Sequence, residues 1–236
     1  MKKWFLGLLT LTGLVVAFPT LINANVLAEE DQFFRHVKVS KPQVEYQIEG
    51  KARVFEGTYH YRVKDGKETV VQGWGTASAG GPEWGDFKQT IQIPKSKSAM
   101  KKNLKLELFE ESAKDGSEVN KLVVPLKAGS TGKKNAAFKN IRIDEPKVKY
   151  RVSGEARVYE GTYHFAVSDG HDYLVEGWGT ASMGAPEWGK FKETIDIPLK
   201  EMPVNGTLIM ELFEISMKDG QRVHQYEVVL DQTPWK

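Results

Sequence analysis

The chain carries two tryptophans in each of two nearly identical stretches, and these residues are its clearest candidates for binding chemistry. GWGTASAGGPEWGDF occupies residues 73–87, and GWGTASMGAPEWGKF occupies residues 177–191. An indole on a sheet face or in a loop can stack on a sugar ring or receive a partner's side chain. The candidate binding residues are the two tryptophans and the adjoining glutamate of each stretch: Trp74, Trp84 and Glu83, and Trp178, Trp188 and Glu187.

Catalytic and metal-binding chemistry has weaker support in the sequence. The nearest approach to an acid–base or metal cluster is a set of three residues that occurs twice: Glu56, His60 and Asp65, and Glu160, His164 and Asp169. A metal site needs three or four convergent ligands, and a single strand histidine does not supply them. The sequence has no G-x-S-x-G, Walker, Rossmann or H-E-x-x-H motif. We predict a protein that is not an enzyme and has no catalytic residues, metal or cofactor.

The position of Trp74 depends on how regular its strand is. In a regular strand, Trp74 and Gln72 share the polar side, opposite the neighbouring glycines. A glycine inside a strand often marks a bulge, which reverses the side-chain alternation after it and would turn Trp74 into the core. Trp178 and Glu176 repeat the arrangement in the second stretch. The sequence leaves both alternatives open, an exposed binding aromatic and a buried core residue.

Trp84 and Trp188 belong to a different kind of segment. They follow Gly-Gly-Pro-Glu and Gly-Ala-Pro-Glu, which are typical of a loop leading into a strand. A loop tryptophan is harder to bury than a strand tryptophan, so we expect both indoles to be partly exposed. The alternative is that each forms a lid over one end of its domain.

These stretches belong to a duplication that covers most of the chain. An offset of 104 residues holds without a gap from Phe34 and Phe138 to Leu126 and Leu230, and about half of the paired residues are identical. A repeat of this length matches a small domain that folds alone. We predict one domain over residues 33–127 and a second over residues 138–231. The small and polar residues 128–137 between them are typical of a flexible linker.

Each repeat has the pattern of an antiparallel β domain. Tyr59, Tyr61 and Val63 alternate with polar residues, and the Asp-Gly pair that follows is typical of a hairpin turn. About seven such segments fit each repeat, the strand number of an immunoglobulin-like sandwich. We therefore predict an all-β chain with two tandem immunoglobulin-like antiparallel β-sandwiches, joined by a short linker and preceded by a signal peptide.

The first 28 residues predict export. A short basic start and an apolar run precede possible cleavage sites after Ala24 and Ala28, the layout of a signal peptide. The alternative is an uncleaved anchor, although the run is short beside the roughly 20 apolar residues of a spanning helix. After cleavage we predict no membrane span. The chain has no cysteine, which excludes disulfides and a lipid-linked cysteine.

Charge argues against one class of partner. Residues 34–126 carry a net charge of +4 and residues 138–230 a net charge of −4. Neither repeat is basic enough to indicate a nucleic-acid partner. The opposite signs allow a weak, screened attraction between the repeats or head-to-tail stacking between molecules, and the favoured alternative is drift of solvated surface charge.

Several short motifs occur in the same order in both repeats. They include P-x-V at residues 42–44, G-x-A-R-V-x-E-G at 50–57, G-x-F at 85–87 and L-F-E-x-S-x-K-D-G at 108–116. With their counterparts in the second repeat, these motifs resemble the immunoglobulin-like domain of bacterial spore germination proteins. The resemblance implies an exported protein of the sporulation or germination envelope whose domains serve interaction. It supplies no catalytic residues.

Together these features predict a secreted, non-enzymatic adhesion or interaction protein of the cell wall or spore envelope. The expected partner is an envelope protein or a cell-wall polymer, and self-association is a further possibility. One alternative is a carbohydrate-binding module that recognises peptidoglycan through the tryptophans. Another is a protease inhibitor that presents the loop at residues 79–84 to an active site.

Overall fold

The alternation of apolar and polar residues forms fourteen strands in a computed structural model of the chain, which describes residues 31–95, 103–131, 134–203 and 206–232. The strands of the first repeat are β1 (Phe34–Val39), β2 (Gln43–Ala52), β3 (Thr58–Asp65), β4 (Glu68–Thr76), β5 (Gly85–Pro94), β6 (Lys105–Glu111) and β7 (Glu118–Pro125). Those of the second are β8 (Phe138–Ile143), β9 (Lys147–Ala156), β10 (Thr162–Ser168), β11 (Tyr173–Thr180), β12 (Gly189–Pro198), β13 (Thr207–Ile215) and β14 (Arg222–Gln232). Single 3-10 turns lie at Phe55–Gly57, Tyr159–Gly161 and Leu199–Glu201. The predicted signal peptide lies outside the described residues.

The strands build two sandwiches. One four-stranded sheet has the order β4-β3-β6-β7 and another has the order β11-β10-β13-β14. A continuous sheet made of β1, β2, β5, β8, β9 and β12 faces both of them. Tyr59 packs on Phe87 across the first sandwich with 4.7 Å between ring centroids, and Tyr163 packs on Phe191 across the second at 5.0 Å. The prediction of an all-β fold with two immunoglobulin-like sandwiches is confirmed.

The first strands of the two repeats are exchanged. β1 pairs with β9 of the second repeat, with Phe34 opposite Ala156. β8 pairs with β2 of the first repeat, with Phe138 opposite Ala52. These two registers are equivalent under the 104-residue offset. Each repeat therefore receives from the other the strand that its own sequence would be expected to provide.

The exchange joins the two sandwiches about an approximate two-fold axis. β2 and β9 run antiparallel beside each other, and Val44 lies opposite Val148, its own counterpart in the other repeat. Both valine side chains are fully buried. Lys95 of the first repeat adds an ion pair of 2.7 Å to Asp231 of the second. The two repeats are thus connected through one continuous sheet.

The folded units differ from the sequence repeats by one strand. We use unit 1 for residues 43–143, where β8 completes the sandwich, and unit 2 for β1 together with residues 147–232. The predicted linker accordingly joins β7 to β8 within unit 1. Its last part is well held: Ala137 is buried, and the Asn135 carboxamide accepts hydrogen bonds from the amides of Ala137 and Phe138.

The length of the connection after β1 explains why this strand does not stay in its own repeat. In the register that β8 takes, Val39 would lie beside Ile48, five residues along β2 from Gln43. Five strand residues advance roughly 16 Å, whereas the four backbone steps from Val39 to Gln43 reach at most about 14 Å. β1 therefore cannot take that position while β2 keeps Gln43 paired with Pro94.

Three buried tyrosines make the fold sensitive to alkaline pH. Burial raises the pKa of Tyr59, Tyr150 and Tyr163 well above the usual value, with added contributions at Tyr150 from Asp231 and at Tyr163 from Glu193. Because the folded-state pKa is raised, this stability is fully present below about pH 10 and is lost as pH rises toward the folded value.

We expect the free energy of unfolding to fall by about 1.4 kcal/mol per tyrosine for each pH unit above 10. Urea unfolding at pH 9, 10 and 11, with phenol ionisation followed by absorbance, measures this loss. A Tyr150→Phe variant should show a smaller pH dependence than the unsubstituted protein. Phenols that ionise freely while the protein stays folded would contradict the prediction.

Candidate functional site

Trp74 and Trp178 lie on the outer faces of the two four-stranded sheets. The pairing of β3 with β4 is unbroken from Thr58–Thr76 to Val63–Val71, so the side-chain alternation is regular through the glycines. The indoles of Trp74 and Trp178 are 66% and 67% exposed. Of the two alternatives that the sequence left open, the structure shows the exposed tryptophan.

The glycines beside Trp74 make room for tyrosine rings on the inner side of the sheet. Tyr59 lies opposite Gly75 and Tyr61 opposite Gly73 on the neighbouring strand. A Cβ atom at Gly73 would lie 2.5 Å from the Tyr61 hydroxyl oxygen, so the ring occupies the space of the missing side chain. The second repeat places aromatic rings over its own glycines in the same way. The repeated Gly-Trp-Gly therefore combines an inner packing site with an outer indole.

Two further rings follow Trp74 in a row across the outer side of the sheet. His60 lies between Trp74 on β4 and Phe109 on β6, opposite both in the strand register. The imidazole stacks on the Phe109 ring at 5.6 Å, and Phe109 is only 4% exposed beneath it. We call this row the aromatic face. Its counterpart in the second repeat consists of Trp178, His164 and Phe213, with a ring separation of 5.7 Å between the last two.

A guanidinium group covers the buried phenylalanine of each aromatic face. Arg62 lies 5.0 Å from the Phe109 ring and forms ion pairs with Glu107 at 3.3 Å and Glu118 at 2.6 Å. The hydrogen bond from Arg62, with a second from Lys121, lowers the pKa of Glu118 to about 2. The carboxylate thus stays ionised over the physiological pH range and holds the guanidinium in place.

In the second repeat, the arginine that covers the buried phenylalanine comes from a different strand. Ala166 occupies the position of Arg62, and Arg222 from β14 lies 4.3 Å from the Phe213 ring instead. Arg222 forms ion pairs with Glu211 at 2.6 Å and Glu176 at 2.9 Å. The sequence comparison missed this correspondence because the two arginines are not aligned. Only the strand register brings them to equivalent places.

Trp84 and Trp188 are half-buried, and cations of the chain itself cover them. The Nζ atom of Lys139 lies 3.9 Å from the Trp84 ring, and the Arg53 guanidinium lies 4.8 Å away. Arg35 lies over Trp188 at 4.1 Å. Lys139 belongs to β8 and Arg35 to β1, so these indoles contact the exchanged strands. Their partial exposure agrees with the expectation, and a role in binding a partner stays a prediction.

Glu83 and Glu187 are exposed on the loops that precede these tryptophans. The first loop is held by backbone hydrogen bonds from Gly81 to Val54 at 2.7 Å and from Ser78 to Asp86 at 2.8 Å. The Ser78 hydroxyl accepts a hydrogen bond from the Asp86 amide. Ser78 thus stabilises the loop. Whether this loop enters the active site of a protease stays a prediction.

The structure does not bring the titratable residues singled out in the sequence into one cluster. Glu56 lies in the 3-10 turn, His60 in the middle of β3, where it approaches Glu111 at 3.7 Å, and Asp65 at the far end of that strand. Within the described ranges, no group of three or more His, Asp or Glu residues could hold a metal ion. Nor does the described part of the chain contain a helix long and apolar enough to cross a membrane.

Comparison with known families supports the resemblance seen in the motifs. The immunoglobulin-like domain of bacterial spore germination matches twice, over residues 34–117 and 141–221. The chain belongs to this family. The prediction of two tandem copies of this domain is confirmed. The match makes the chain a germination-related immunoglobulin-like protein. No curated protein and no solved structure matches the chain significantly.

Both family segments of the chain include the strands that carry the aromatic face. The first contains Trp74, His60 and Phe109, and the second contains their counterparts. The two matches follow the sequence repeats, whereas the folded units exchange β1 and β8. Each family segment therefore begins in a strand that the structure places in the other folded unit.

Proposed function

We propose that this germination-related immunoglobulin-like protein is a secreted, non-catalytic binding protein of the cell or spore envelope, and that it holds a protein partner through its two aromatic faces. One observation carries the proposal: the indoles of Trp74 and Trp178 are about two-thirds exposed at equivalent positions of both repeats. Each indole also adjoins a histidine that stacks on a buried phenylalanine of the same sheet face, and this row occurs in both repeats.

The surroundings of each indole suit a protein contact. Tryptophan and arginine are the residues that most often dominate binding energy, and each aromatic face has both. The histidine beside the indole is packed on the buried phenylalanine, so little ordering of these two side chains is needed when a partner binds. Two equivalent faces on one chain would bind a repetitive envelope structure more tightly than either face alone.

The test is a double substitution, Trp74→Ala with Trp178→Ala, assayed for retention on isolated spore envelopes and on vegetative cell walls. We expect each single variant to weaken retention, and the double variant to weaken it at least tenfold, because a central tryptophan commonly contributes about 2 kcal/mol or more to binding. The stability of the variants should be unchanged, since the indoles are exposed.

The matched control replaces two aromatic residues of similar exposure that lie outside the sheet face. Phe55 and Tyr159, which are 61% and 59% exposed, occupy equivalent positions in the 3-10 turns of the two repeats. The Phe55→Ala, Tyr159→Ala variant should retain full binding. Equal loss in both double variants, or none in the tryptophan variant, would refute the aromatic faces as the binding surface.

Carbohydrate recognition is a second candidate because of the groups beside the indole. Trp74 borders an open depression that Gln72, Glu111 and Arg62 also line. A flat ring next to hydrogen-bonding side chains suits a sugar that stacks on the ring and bonds through its hydroxyls. Retention on purified, protein-free peptidoglycan that is lost in the tryptophan variant would favour this candidate over a protein partner.

A further inference from the structure

β1 is held in unit 2 by two adjoining anchors. Phe34 is fully buried and lies between Tyr163, at 6.4 Å, and Tyr226, at 6.2 Å. Arg35 stacks on Trp188 and forms an ion pair of 2.8 Å with Glu155. We call the groove that these side chains form along the edge of β9 the acceptor groove of unit 2. It holds the aromatic ring of one β1 residue and the cationic side chain of the next.

The acceptor groove of unit 1 recognises the same features in β8. Phe138 is fully buried against Tyr59, and Lys139 covers Trp84. Both strands then contain a bulge whose residue has a positive φ angle, 53° at His36 and 55° at Asn140. The two grooves and the two strands are therefore equivalent in shape and contacts.

The two strands differ in how the chain continues from them. β8 is joined to the rest of unit 1 through residues 126–137, and to β9 on its other side. In the described part of the chain, β1 is the one strand that unit 2 takes from outside residues 147–232. It is joined to unit 1 by residues 40–42 alone. β1 can therefore leave its groove while all strands of unit 1 stay paired.

A released β1 would have no groove to enter within its own chain. The groove of unit 1 is filled by β8, and the connection after Val39 is too short for β1 to lie beside an intact β2 in any case. The groove that β1 has left would expose the edge of β9 and several aromatic side chains, and such an edge readily takes up an extended strand.

We propose that β1 of one copy inserts into the acceptor groove of unit 2 of a second copy, so that the protein assembles by strand exchange between molecules. A second copy is the occupant that these contacts define, because its β1 carries the same Phe34 and Arg35. Such contacts are head-to-tail, and they form open chains unless two copies exchange reciprocally.

The experiment mixes two full-length single-cysteine variants, Lys38→Cys and Ser153→Cys. Residues 38 and 153 face each other across β1 and β9, both are exposed, and the chain has no cysteine of its own. The mixture is partly unfolded in denaturant, refolded at increasing protein concentration and oxidised. A disulfide between the two variants that exceeds the background of random collisions reports β1 of one molecule beside β9 of the other.

We expect the mixed disulfide to increase several-fold with protein concentration, together with dimers and larger species of the unsubstituted protein in sedimentation. The matched control pairs Lys38→Cys with Lys218→Cys, whose position is also exposed but lies on the turn before β14. Its mixed disulfide should stay at the background level. A mixed disulfide that is no more abundant than this control at the highest concentration overturns the proposal.

Discussion

Replacing Phe34 by alanine is expected to destabilise the second repeat, although the residue belongs to the first. Phe34 is fully buried among Tyr163, Phe191 and Tyr226, all of which belong to unit 2. Removing a buried phenylalanine ring costs about 3–5 kcal/mol, through lost burial and the cavity left behind. The loss of stability should therefore affect residues 147–232.

Hydrogen exchange followed by mass spectrometry separates the two units, because peptides from each report its opening. The Phe34→Ala variant should lose protection in β9 to β14, while β2 to β7 stay close to the unsubstituted protein. The matched variant, Phe138→Ala, should give the reverse result, because Phe138 packs on Tyr59 in unit 1. Loss of protection in β2 to β7 of the Phe34→Ala variant would show that the first strand stays in its own repeat.

A single methyl group at Gly85 is expected to disrupt the loop that carries Trp84. A Cβ atom there would lie 2.6 Å from the carbonyl oxygen of Ala79, and closer still to its amide nitrogen. Backbone atoms cannot rotate away as the end of a side chain can, so the whole loop would have to shift. We expect Gly85→Ala to lower the stability of unit 1 by about 3 kcal/mol, at the upper end of the cost of overpacking.

The second repeat supplies the control for this prediction. Gly81 lies in the same loop, a Cβ atom there would meet its nearest atom at 3.5 Å, and the equivalent residue of the second repeat is Ala185. Gly81→Ala should change stability by no more than about 0.5 kcal/mol. Chemical denaturation of both variants measures the difference. Equal stability of the two variants would mean that the loop is not packed as described.

The strands could be predicted because their side-chain pattern is local. Tyr59 and Val63 have the period of two that a strand with one buried face requires, and Asp65-Gly66 marks the turn to β4. Trp74 could not be placed in the same way, because a glycine in a strand is compatible with a bulge or with a regular strand. Tyr59 and Tyr61 decide the question by filling the space over the glycines, and that contact depends on the pairing of β3 with β4.

The exchange of β1 and β8 could not be predicted from the side-chain pattern. Because both strands begin with an aromatic residue and a cation, each matches either groove equally well. The length of the connection after Val39 decides which groove β1 occupies. This length can be judged too short only when the register of β8 on β2 is known. The positions of Arg62 and Arg222 depend on register in the same way.

Because β1 and β14 both belong to unit 2, the described chain both enters and leaves through the same sandwich, with unit 1 inserted between them. A mechanical force applied to the two ends would load unit 2 alone, and unit 1 would carry tension only after β1 had been pulled from its groove. Resistance to stretching would then depend on the unfolding rate of unit 2. The aromatic face of the first repeat would stay folded under a load that opens the second.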